Sequence, residues 1–211
     1  MNPNPYPKLH PGLNLGPAHG VAHEGSEAVL FGFWIFLMSD LIIFGILFAT
    51  YAASTGPMAI AGGPRPTDLF DLVSVSIQTA FLLASSLTCG MAILAMKYGE
   101  NVSRVKLWLV VTALLGAGFL TFELRDFASM MAHQGTPMRS AWLSSLYALV
   151  GLHGLHITMG LLWILTMLAL IQVQRLSNKV KTRLLMFSLY WHFLDVIWIG
   201  IFSVVFLAGL V

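Results

Sequence analysis

The chain is 211 residues long, 57% hydrophobic and only 9% charged, with a net charge of +2. Soluble domains carry about 25% charged residues, so a compact fold of this composition needs lipid, not water, around most of its surface. Its 11 Lys and Arg are spread along the chain and form no basic patch for a phosphate backbone, which excludes nucleic acid as a partner. The lone cysteine, Cys89, supports neither an intrachain disulfide nor a thiolate metal cage.

Residues 1–28 hold five of the nine prolines and lack the continuous apolar core of a cleavable signal, so they are expected to form an extended or disordered tail. From residue 29 to 211 the expectation is one all-α membrane domain of five transmembrane helices. Spanning a ~30 Å hydrocarbon core takes about 20 helical residues, and long unbroken apolar runs choose helices over barrel strands. The runs place spans at 30–53, 72–96, 106–131, 140–172 and 184–210. The second contains no formal charge, and the fourth is too long to cross perpendicular to the membrane, so it should tilt or protrude.

Five spans put the tail and the loops near 97–106 and 173–183 on one side. That side carries Lys8, Lys97, Arg104, Lys106, Arg175, Lys179, Lys181 and Arg183, against Arg65, Arg125 and Arg139 on the other. The positive-inside rule then predicts a cytoplasmic N-terminus and an outward C-terminus. Trp34, Trp108 and Trp142 fall near predicted span starts, as headgroup anchors would, whereas Trp163, Trp191 and Trp198 lie deeper.

Acidic residues inside a span cost about 2.5–3.5 kcal/mol each at the helix centre and should face protein or water. Asp40 and Asp195 fall near the middle of the first and fifth spans. Glu123 lies toward the outer end of the third, followed by Arg125 and Asp126, and is expected to be the least costly of the three. His153 and His156 share a helical face in the fourth span, and His192 and Asp195 repeat that spacing in the fifth. Gly151, Gly154 and Thr158 form a neighbouring small stripe that would admit another helix. These polar groups suit either a proton relay or metal site, or a set of interhelical hydrogen bonds. His10, His19 and His23 with Glu24 and Glu27 could meet a metal ion, but a tail offers no preorganised geometry. Ser85, Ser86 and Thr88 have no paired base and are expected to bond back within their own helix.

Three segments carry a resemblance. They are Phe31-Gly32-Phe33-Trp34-Ile35-Phe36-Leu37-Met38-Ser39-Asp40, Gly151-Leu152-His153-Gly154-Leu155-His156, and Trp191-His192-Phe193-Leu194-Asp195-Val196-Ile197-Trp198, one on each of three spans. Over about residues 28–211 the chain resembles subunit III of haem-copper respiratory oxidases, most closely the cytochrome bo-type ubiquinol oxidase branch. The resemblance implies a cofactor-free accessory subunit with no active site of its own. It would lie in a bacterial plasma (inner) membrane against a large catalytic subunit I that holds the haems and copper, with a subunit II and a small fourth subunit, and with bound phospholipid. Such a complex oxidises quinol, reduces dioxygen to water and pumps protons. Asp40 stands where relatives with a cytochrome c donor carry a membrane-buried glutamate, so the resemblance allows it a proton-linked role. For Glu123, His153, His156, His192 and Asp195 it implies helix packing. A proton-coupled carrier acting alone through Asp40 and Asp195, and a cytochrome with histidine ligands, are the competing readings.

Overall fold

The computed structural model describes residues 19–56, 72–99, 101–132 and 135–207, with side chains from Ser26 onward. All its regular elements are helical: α1 (His19–Ala53), α2 (Leu72–Leu94), α3 (Val102–Ala132), α4 (Ala141–Gln174) and α5 (Asn178–Ile201). A π-helical turn, Ala95–Gly99, extends α2, and another, Phe202–Leu207, extends α5. All five helices are long and apolar enough to cross a membrane. The expected spans are therefore present, but their ends differ in instructive ways.

α1 starts at His19, inside the segment expected to be an extended tail, and runs for 35 residues. No proline occurs from residue 18 to 53, so no residue there withholds a backbone N–H. The remainder of the expected tail lies outside the described residues. α3 and α5 begin before the expected 106 and 184 because Arg104, Lys106, Lys179, Lys181 and Arg183 are sound helix formers. Those cations mark where hydrocarbon ends, not where the helix ends. Asn101 Oδ1 accepts from the backbone N–H groups of Ser103 (3.1 Å) and Arg104 (3.3 Å), capping α3. Ser140 caps α4 by accepting from the Leu143 N–H at 3.2 Å. α4 is unbroken over 34 residues, about 50 Å at ~1.5 Å per residue, longer than a perpendicular crossing of a ~30 Å core needs.

The chain alternates direction at each connection, but α1 rests on α4 and α5 and not on its sequence neighbour α2. Its buried stripe is Leu37, Phe44 and Tyr51, at seven-residue intervals, while most of its other large side chains face outward. Ser26 and Thr182 hydroxyls meet at 3.0 Å where α1 and α5 begin. α2 and α3 pair along their length, and α5 packs against α2 and α4.

The centre is built around two indoles of α5. Trp191 is fully buried, and its Nε1 donates to Ser85 Oγ of α2 at 3.0 Å. Its ring edge lies so close to Gly116 of α3 and Gly160 of α4 that a Cβ would stand 2.9 Å and 2.7 Å away, respectively. Seven residues on, Trp198 donates to Thr79 Oγ1 of α2 at 3.0 Å and meets Phe119 of α3 edge-on at 4.7 Å between centroids. Trp142 is also fully buried, whereas Trp34 is exposed, so of these two expected headgroup anchors only Trp34 presents its ring to the surroundings.

A methyl at Gly160 has no room beside Trp191, so Gly160→Ala should destabilise the bundle by about 1–3 kcal/mol. Gly151→Ala, with nothing within 4 Å of the added methyl, should be neutral or gain up to about 1 kcal/mol of helix propensity. Thermal unfolding in detergent separates them, and equal midpoints would remove the indole slot as an explanation. Arg175, which ends α4, has φ 51° and ψ −148°, a conformation nearly restricted to glycine. Arg175→Gly should therefore raise the midpoint, relieving about 1–3 kcal/mol of backbone strain; a lowered midpoint would count against that.

Candidate functional site

The singled-out polar side chains fall into three groups, not one. The first joins α1 to α4. Asp40 Oδ2 lies 3.5 Å from His156 Nε2, and both side chains are mostly buried. His156 Nδ1 lies 2.8 Å from the Leu152 carbonyl. A carbonyl only accepts, so Nδ1 carries a hydrogen and Nε2 is the ring nitrogen turned toward Asp40. Tyr190 of α5 donates to the His156 backbone carbonyl at 2.8 Å, which ties the third helix to this corner.

The second group joins α5 to α2. Ser86 Oγ and His192 Nδ1 are 2.7 Å apart, and Asp195 lies beside both. Ser86 therefore bonds across helices instead of within its own. Ser85 and Thr88 do bond back, to Leu82 O (2.7 Å) and Ser85 O (2.9 Å), yet each also reaches out, Ser85 to Trp191 and Thr88 to Thr112 of α3 at 2.8 Å. Bonding within the helix and bonding between helices are compatible for a hydroxyl, which has one donor and two acceptor sites.

The third group lies between α3, α4 and α5. Glu123 is 3% exposed, less than Asp195 at 8%, and neither of its carboxylate oxygens has a hydrogen-bond partner among the described residues. The expectation that it is the least costly acid is overturned. Its charged neighbour Arg125 sits two positions on, near the opposite face of the helix, and points outward, while Asp126 is engaged with α2. A Cβ on Gly154 would stand 2.6 Å from Glu123 Oε2, so the absence of a side chain at 154 admits a carboxyl and not a helix backbone. Gly151, the other member of that stripe, faces open space. His153 is fully buried between Phe119 (5.8 Å) and Trp198 (5.2 Å), and both ring nitrogens lack hydrogen-bond partners among the described residues.

Among the described residues no three His, Cys, Asp or Glu side chains converge as a metal cage. The donor geometry also opposes haem ligation. His153 is packed between two rings, His156 is held by Leu152 and Asp40, and His192 by Ser86. The suggested tail site at His10, His19, His23, Glu24 and Glu27 lies, apart from the Glu27 side chain, outside the described side chains.

The sequence reading missed the acceptors on α2. Thr79 gave no signal by itself, but a buried indole in lipid requires an acceptor, so a hydroxyl-rich helix in a tryptophan-rich chain was the available sign. Ser74 and Gln78 were missed likewise: Ser74 Oγ donates to Asp126 at 3.0 and 3.1 Å, and Gln78 Nε2 donates to Asp126 Oδ2 at 2.5 Å.

In comparisons with known proteins, residues 17–210 match the family described as cytochrome c oxidase subunit III. The chain is 44% identical over 195 residues to the cytochrome bo(3) ubiquinol oxidase subunit 3 of Pseudomonas aeruginosa, covering 92% of each chain. It is 46% identical over 187 residues to the protein of that name from Pseudomonas putida, covering 89% of each. The quinol oxidase subunit 3 of Bacillus subtilis is 41% identical over 188 residues, covering 89% of this chain and 90% of its own.

Asp195→Ala should loosen the contact between α5 and α2 more than Asp195→Asn, because the amide keeps hydrogen-bonding capacity beside Ser86 and His192. Detergent stability of the two variants measures this, with a difference of about 0.5–2 kcal/mol; equal stability would show that Asp195 contributes no bond.

Proposed function

The chain belongs to the cytochrome c oxidase subunit III family, and from that membership we propose that it is the third, accessory subunit of a proton-pumping quinol oxidase. The carrying observation is that relatives named as quinol oxidase subunit 3 are 41–46% identical to it along about nine-tenths of both chains. The oxidase couples quinol oxidation to reduction of dioxygen to water, and this subunit contributes no redox centre.

The five-helix bundle is a multi-pass membrane protein. The bacterial relatives support a setting in a bacterial inner membrane, and the charge asymmetry of its loops supports a cytoplasmic N-terminus. Its partners are the large haem- and copper-bearing subunit I, subunit II, a small fourth subunit and membrane phospholipid. α1 is the helix with most to offer a partner, because Phe31, Trp34, Ile35 and Ile42 stand on a face that the rest of the bundle leaves open. Within the subunit, the approach of the Asp40 carboxyl to His156 Nε2 supports a proton-linked role for Asp40. His192 and Asp195, beside Ser86 of α2, serve helix packing.

Nothing favours a carrier acting alone. Asp40 faces α4 through His156, whereas Asp195 faces α2 beside Ser86, so the two acids share no partner through which a proton would pass.

Purification of the tagged chain from native membrane is expected to yield a complex with a large haem-bearing subunit and quinol-dependent oxygen uptake. Reduced-minus-oxidised spectra should stay with that complex after the chain is separated, leaving the chain colourless. A solitary chain that drives ion-coupled uptake would replace this reading with the carrier, and a coloured one would replace it with a cytochrome.

A further inference from the structure

A cavity of about 260 Å³ opens between α2, α3, α4 and α5, at the end of the bundle where α2 begins and α3 ends. Arg125 and Ser129 stand at its exposed rim. One wall carries Asp126, held by Ser74 and Gln78. Its inner end is closed by Glu123, Val150 and Trp198. Glu123 lies nine residues from the end of α3, roughly 13 Å deep at ~1.5 Å per residue.

The volume is many times what one water needs, and its walls carry polar groups, so water is the occupant that physical chemistry favours; dry cavities of this size are lined by apolar groups alone. The groups facing Glu123 decide its state. On its own helix these are Asp126, a second acid, and Arg125, turned out to the rim. From α4 they are Gly154 and His153, the latter clamped between rings, and from α5 Trp198, whose N–H is committed to Thr79. Among the described residues none of these, nor Ser74 and Gln78 of α2, which bond to Asp126, supplies a counter-charge or a donor to the Glu123 carboxyl. A lone ionised carboxyl is the costliest form to keep at this depth. A metal cation is a poor solution, since Asp126 is already occupied by two neutral donors and the rim is positive. A proton solves it.

We propose that this cavity is a water-filled inlet, through which Glu123 takes up and releases a proton in exchange with the aqueous phase beyond Arg125 and Ser129. The step is a proton transfer alone. A hydrated proton gives H⁺ to one Glu123 oxygen, leaving a neutral acid and a water, and the reverse step restores both. The inlet lies opposite the end carrying Lys97, Arg104 and Lys106, and it is separate from the Asp40–His156 pair. It does not depend on which subunits the chain assembles with.

The test is the infrared difference spectrum between wild type and Glu123→Gln, each purified with its native partners. The expected result is the carbonyl stretch of a protonated carboxyl in wild type, lost in Glu123→Gln and shifted within the dead time of transfer to D₂O. Ser129→Phe, which plugs the rim, should slow that shift severalfold. Three results would overturn the inlet: carboxylate bands replacing the protonated one, a protonated band that ignores D₂O, or unchanged exchange in Ser129→Phe. If Glu123→Gln does not assemble, Glu123→Asp reads the same band through its change of frequency, with an unmoved band counting against the assignment.

Discussion

An indole N–H in hydrocarbon has no water to bond, and the bundle is arranged around meeting that requirement twice. Trp191 and Trp198 project from α5, and both donate to hydroxyls of α2. The rings between donor and acceptor fill the space where α3 and α4 converge, Trp191 against Gly116 and Gly160, Trp198 against Phe119 and His153. Four helices are thus registered by two side chains. Apolar packing alone could not do this, because lipid tails compete equally well for leucine and isoleucine. The hydroxyls of α2 also bond to α3, through Thr88 with Thr112 and Ser74 with Asp126. α2 is in effect the acceptor rail on which its neighbours are indexed.

How much of this was legible in the sequence depended on whether a feature belongs to one helix or to a pair. Span number and rough position follow from composition along a single segment, so the five apolar runs became five helices. Helix ends were misplaced where cations were read as loop, since Lys179, Lys181 and Arg183 leave the hydrocarbon without leaving the helix. Glu123 was misjudged because adjacency in sequence to Arg125 is not adjacency on a helical surface. The position of Trp142 near a span start suits an interfacial anchor, but depth along the normal says nothing about which way a ring points, and this one is buried. The Trp191 slot was out of reach, because two glycines on different helices acquire meaning only once a third helix is placed.

The recognisable motifs were read correctly as a family mark, and the structure gives them a physical sense. In Trp191-His192-Phe193-Leu194-Asp195, the indole sets the core register while His192 and Asp195 turn toward Ser86 on α2. In Gly151-Leu152-His153-Gly154-Leu155-His156, His156 meets α1, His153 meets α3 and α5, and Gly154 makes way for a carboxyl. Each motif is a list of different helices' requirements written on one strip of surface, which is why neither reads as a single site.

The pairing of Asp40 with His156 also has a consequence for biosynthesis. α1 emerges before α4, yet its buried acid finds its histidine only on that later helix. At ~5–20 residues per second the ribosome needs on the order of ten seconds to make the chain between them. Throughout that interval Asp40 lacks its partner, so its carboxyl is stabilised only where water reaches it. The corner between α1 and α4 therefore closes only after most of the intervening chain has been made.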